Sequence, residues 1–293
     1  MNKLPVFYHI PKNAGTYVYS RLLMSFRHYR RKYTDWNKKA ITGKDSIKSV
    51  QVIQDGNIVA RLLVGDPNYL LENCPLFLKR SNTDWDIQLK DFSKELIQNV
   101  FLFGVVLESR GFTIRQKILN FVSDFDLHEF LILRDPFSRA QSIYNYNVSE
   151  ESVHDYCHGA IESKNFEEYV ISSKLEDSWL IRAFLNLKDS EAINQTHLES
   201  VQQILSSFYV YSITETDKAV CEAIDVCYGI DINEIDLRPW DKITKNETKF
   251  KKMLLSELSL QAQEVFKVRT LFDQKLYDIY VRPKQKIHFH SSN

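Results

Sequence analysis

Lys12, Gly15 and Thr16 fall in the stretch Tyr8-His9-Ile10-Pro11-Lys12-Asn13-Ala14-Gly15-Thr16-Tyr17, where an apolar run passes into a helical pattern. A strand that ends in a short loop and opens a helix turns several backbone N–H groups and the helix dipole toward one point, which suits a phosphate or sulfate. Gly15 lets the backbone come close, Thr16 adds a hydroxyl donor and Lys12 a mobile full charge. The stretch differs from a nucleoside-triphosphate loop, in which Lys follows the last Gly and is itself followed by a magnesium-binding Ser or Thr. Here Lys12 precedes Gly15. An ordinary strand-to-helix turn has the same outline, so this stretch alone does not fix a ligand.

A second set of residues lies in Leu131-Ile132-Leu133-Arg134-Asp135-Pro136-Phe137-Ser138-Arg139-Ala140-Gln141-Ser142. Arg134 closes an apolar strand, where ligands of open α/β sheets gather, and Pro136 starts a helix that carries Ser142 two turns on. A guanidinium at the strand end and a hydroxyl on the next helix can share one phosphate. The alternative is a structural pairing of Arg134 with Asp135 or another carboxylate.

Taken together, the two segments resemble the 5′-phosphosulfate loop and the 3′-phosphate segment of sulfotransferases that use 3′-phosphoadenosine 5′-phosphosulfate (PAPS). The HIPKxAGT and RDPxxRxxS forms are most similar to the carbohydrate group that includes heparan sulfate 2-O-sulfotransferases. By that resemblance Pro11, Lys12, Asn13, Ala14, Gly15, Thr16 and Tyr17 surround the 5′-phosphosulfate, while Arg134 and Ser142 hold the 3′-phosphate. The stretch Lys242–Lys249 is similar to a C-terminal Asn-x-Ser/Thr-Lys segment near the nucleotide and brings in Lys245 and Thr248. The resemblance implies a P-loop-like fold, PAP as product, no metal, and a hydroxyl acceptor, either a glycan or another small alcohol.

One element of that family pattern is missing. A His commonly ends a strand upstream of Arg-Asp-Pro and takes the acceptor proton, yet this chain has Asp66 in Val64-Gly65-Asp66-Pro67 and Glu108 in Val106-Leu107-Glu108-Ser109. A buried carboxylate with raised proton affinity can serve instead. Glu108 is the preferred candidate, because a core strand delivers it to the sheet edge; Asp66 is the second, and His9 remains open. A protein that binds PAP without turnover, or a kinase on a related scaffold, is the rival reading.

The elements that must position these residues follow from periodicity. Apolar runs at 4–10, 100–107, 129–133 and 208–213 alternate with helical patterns. That alternation predicts an α/β fold around a mainly parallel sheet flanked by helices, with a helical C-terminal half. Residues 49–54 and 57–65, joined at Asp55-Gly56, predict a β-hairpin insert, and 67–90 an irregular connection. One long helix is expected over 256–280 and a fraying basic tail over 283–293. The whole of 1–293 reads as a single domain with an insert at about 49–90.

Composition sets the outer limits. Lys plus Arg and Asp plus Glu number 38 each, so no global field points to nucleic acid or a membrane surface, and any anion site is local. No Cys pair or Cys/His cluster has zinc-ligand spacing. With no apolar span and no secretory core after Met1, the expectation is a cytoplasmic protein without a membrane span.

Overall fold

The computed structural model describes residues 3–15, 17–22, 47–65, 78–79, 84–91, 100–106, 122, 125–148, 163–172, 177–228 and 252–281. The chain divides into two units, Met1–Ile132 with Ser207–Pro239, and Leu133–Ser206 with Trp240–Asn293.

The first unit is built on strands β1 (Lys3–His9), β2 (Ile47–Gln54), β3 (Asn57–Gly65), β4 (Leu78–Lys79), β5 (Asp84–Gln88), β6 (Val100–Val106), β7 (Asp126–Leu133) and β8 (Tyr209–Ser212). They form one sheet in the order β4-β5-β2-β3-β6-β1-β7-β8. β1 is an interior strand, parallel to β6 on one side and β7 on the other. Side chains alternate across the pleat. Phe7 therefore faces a core with Val18, Leu22, Leu102, Phe130 and residues of helix α5 (Thr216–Tyr228). Tyr8 faces the opposite way, meets Phe208 edge-on at 4.6 Å and donates to Glu129 Oε1 at 2.6 Å.

The expected mainly parallel sheet is mixed. β6-β1-β7 run parallel, as do β2 and β5, but β2–β3, β3–β6 and β4–β5 are antiparallel. The hairpin turns at Asp55-Gly56, both with positive φ, as its Asp-Gly signature predicts. β3 pairs with β6 from Ala60 to Val64, so the hairpin extends the sheet. The connection expected to be irregular over 67–90 contains β5, which runs parallel to β2 from Asp84 to Gln88.

Gly104 in β6 has a packing reason. A Cβ there would lie 1.8 Å from Tyr19 Oη and 2.7 Å from its Cζ, with the Arg61 carbonyl oxygen at 2.9 Å. Gly104→Ala is therefore expected to lower stability by about 1–3 kcal/mol, the usual range for overpacking. Tyr19→Phe in the same chain should recover part of the loss. Denaturant midpoints of the three variants test this, and an unchanged Gly104→Ala midpoint would remove Tyr19 from above β6.

The second unit is helical: α1 (Pro136–Asn147), α2 (Phe166–Ile171), α3 (Trp179–Leu185), α4 (Gln195–Leu205), α6 (Leu260–Arg269) and α7 (Leu271–Tyr280). Phe137, Tyr144, Phe166, Tyr169 and Phe266 make an aromatic core. The single helix expected over 256–280 is broken. Thr270 at φ −101° and ψ 11° separates α6 from α7, and its Oγ1 donates to Phe266 O at 2.9 Å, a side-chain bond that competes with the helical ladder. Ser178 Oγ donates to Arg269 O at 3.2 Å, and the buried Asp273 accepts from Leu180 N at 3.0 Å, so the break is where α3 is anchored. Among the described residues no helix is long and apolar enough to cross a membrane.

Candidate anion-binding site

In the first unit, β1 ends at His9 and the chain turns through Pro11–Ala14 into helical residues 17–22. Lys12 has φ 65° and Ala14 φ 63°; Asn13 between them and Gly15 after them do not share the positive sign. Left-handed backbone at two non-glycine residues is costly, about 1–3 kcal/mol each, and collects at ligand clamps. An alternation of hand over successive residues turns backbone N–H groups toward one concave side, the nest geometry that holds anions. Ala14 caps the helix, its carbonyl accepting from Val18 N at 3.0 Å. The Gly15 amide is thus one of those that a helix leaves without an internal acceptor.

Asn13 fixes the loop. It is 1% exposed, its N–H reaches Ile10 O at 3.1 Å, and its Nδ2 donates to Ile132 O at 2.9 Å near the end of β7. Its side chain ties the loop to the neighbouring strand, and its buried Oδ1 has no hydrogen bond. Tyr17 donates to Asp217 Oδ1, which also accepts from Arg21 Nε at 3.0 Å, so the Tyr17 phenol joins its helix to α5. Pro11 is buried and Lys12 half-buried.

The sequence assigned Gly15 to close approach by a ligand; in the structure the close neighbour is His9. A Cβ on Gly15 would stand 1.8 Å from His9 Nε2. The ring is also held by Phe7, stacked at 5.8 Å, and by Tyr19, edge-on at 5.8 Å. Burial, then the Arg61 and Lys12 cations, push its pKa down to about 3. His9 is therefore neutral at physiological pH and a weak proton acceptor. In the unfolded chain it protonates near 6.5, so it contributes stability above that pH that is lost as pH falls toward 3.

In the second unit, Arg134 stands immediately after β7 and is half-buried. Its pKa is lowered, first by burial, with Asp135 opposing and Arg139 adding to the shift. Asp135 Oδ1 accepts from Ser138 N at 2.9 Å as the N-cap of α1, with Pro136 opening the helix. That cap gives the Asp135 carboxylate a task other than pairing with Arg134. Ser142 is half-buried on α1. Arg139 lies over the Trp179 ring at 4.0 Å.

Lys12, Asn13, Ala14 and Gly15 thus form one loop of the first unit, and Arg134 and Ser142 open the second. Asp66, Glu108, Thr16, Lys245 and Thr248 lie outside the described residues. Two residues near the loop escaped the sequence reading, Tyr19 and Arg61. A glycine inside the apolar run VFLFGVV and an arginine inside IVARLLV are the signals that could have found them. No protein-family model matches the chain, and no curated protein matches it.

Proposed function

We propose that the chain is a sulfotransferase that moves a sulfuryl group from PAPS to a hydroxyl acceptor, with a glycan as the favoured acceptor class. The observation that carries this reading is the Lys12–Gly15 loop, whose backbone alternates in hand beyond the interior strand β1. The residues fit the donor: a nest of amides and Lys12 suit its 5′-phosphosulfate, and Arg134 with Ser142 suits its 3′-phosphate. PAPS supplies an activated S–O bond whose cleavage releases PAP.

Lys12 and the loop amides neutralise charge that builds on the bridging and sulfuryl oxygens during in-line displacement. A carboxylate, Glu108 first and Asp66 second, accepts the acceptor's hydroxyl proton as its oxygen bonds to sulfur. The low pKa of His9 disfavours it for that task. The reading places the protein in the cytoplasm and involves neither a metal nor nucleic acid.

Calorimetry with PAP in EDTA is the direct test. Binding there, with ATP at least tenfold weaker for want of a 3′-phosphate, is the expected result. No PAP binding would overturn the donor assignment, and binding without turnover on any hydroxyl would favour the non-catalytic rival.

A further inference from the structure

Among the described residues of the first unit, one charge has no carboxylate paired with it. Arg61 lies mid-strand in β3, directly opposite Gln51 of β2 on one side and Gly104 of β6 on the other. It is half-buried, its Nε has no hydrogen bond, and no carboxylate pairs with it among the described residues. Asp86 on β5 lies opposite Gln51, two strands from Arg61, and forms no ion pair with it. The guanidinium rests over the Tyr19 ring at 5.5 Å, and that contact offsets only part of the loss of water. His9, held neutral, is no counter-ion.

Two further polar groups share this face with unmade hydrogen bonds. Tyr19 is 6% exposed, and its unpaired Oη stands above Gly104, beside the Arg61 position. Gln51 is also 6% exposed with Oε1 unpaired, and a half-turn of its amide presents NH2 instead. A guanidinium and a phenol meet beside Gly104, and an amide stands opposite the Arg61 position on the next strand; together they make a donor set along one face, and a donor set in a partly dry site calls for an anion.

We infer that Arg61, Tyr19 and Gln51 form a second oxyanion site, distinct from the donor loop, which takes a carboxylate or sulfate ester carried by the acceptor. This deepens the sulfotransferase reading and rests on it for the identity of the molecule that bears the anion. The acceptor class is then an acidic saccharide. The site selects among acceptors by charge and contributes no bond-making step.

The test is the thermal midpoint of the full chain, titrated at constant ionic strength with sodium glucuronate, sodium sulfate, or glucose as the neutral control. PAP is present at saturation to fill the donor loop. Glucuronate or sulfate should raise the wild-type midpoint, and glucose should not; the more effective anion identifies carboxylate or sulfate ester as the natural group. In Arg61→Met the resting midpoint should rise, because an unpaired charge has gone, and at least tenfold more anion should be needed for the same shift. Tyr19→Phe should weaken the response with little change in resting midpoint, and Arg61→Lys serves if the Met variant does not fold. No shift with either anion, or an equal shift in wild type and variants, overturns the site. So does a shift seen only without PAP, which would place the anion in the donor loop. Should PAP itself not bind, the donor reading fails, and the same titration on Lys12→Ala still decides whether Arg61 holds an anion.

Discussion

Arg134→Ala is expected to weaken PAP binding about 30-fold or more, while affinity for adenosine 5′-phosphosulfate, which lacks the 3′-phosphate, changes little. The magnitude follows from charge. Hydrogen bonds between charged groups contribute about 1.5–3 kcal/mol each, and a guanidinium can make two to one phosphate. Burial already lowers the Arg134 pKa, so its charge has lost part of its hydration and gains more from an anion than an exposed Arg would. The fold should survive. The local structure rests on Asp135 capping α1 and on Pro136 at its start, and neither needs the Arg134 side chain. Calorimetry with the two nucleotides reads the difference directly. An equal loss for both would show that Arg134 supports the site in general, and no loss for PAP would remove it from the 3′-phosphate.

How far the sequence foretold this architecture depends on the residues concerned. β1, β6, β7 and β8 were legible as short apolar runs, and the hairpin as Asp55-Gly56 between two such runs. β5 was not. In Asp84-Trp85-Asp86-Ile87-Gln88 polar and apolar residues alternate, but Asp is a poor strand former and the segment follows a Pro- and Asn-rich stretch. Its strand character comes from pairing with β2, a tertiary fact. The break at Thr270 was equally hidden, because Thr is tolerated inside helices and only its bond to Phe266 O and the anchoring of α3 beside it mark the boundary.

The candidate site divides along similar lines. Lys12, Gly15 and Arg134 could be singled out because residue type and spacing carry their chemistry. The inward turn of Asn13 to Ile132, the packing of His9 on Gly15 and the meeting of Arg61 with Tyr19 over Gly104 could not. The first and third depend on which strands are neighbours, and the second on how the loop folds back on β1; hydrophobic periodicity reports neither.

Lys12 is where strain and chemistry separate most cleanly. Lys12→Ala should cut turnover about 100-fold or more while PAPS affinity falls far less. In the proposed transfer the lysine charge counts most when the bridging oxygen becomes anionic, and removing one such donor costs about 10²–10³ in rate. Lys12→Gly should lose turnover to the same degree but behave differently in stability. At φ 65° a lysine bears left-handed strain of about 1–2 kcal/mol that glycine escapes, partly offset by about 0.4–1 kcal/mol of extra unfolded-chain entropy. Lys12→Gly is therefore expected to unfold at a denaturant midpoint equal to or above wild type, and Lys12→Ala, which keeps the strain, below Lys12→Gly. Single-turnover rates with saturating PAPS, set beside those midpoints, read both effects in the same two proteins. Near-normal turnover with weak PAPS binding would reduce Lys12 to an anchor of the ground state. A Lys12→Gly midpoint well below that of Lys12→Ala would show that the left-handed turn at this residue is not where the loop stores its strain.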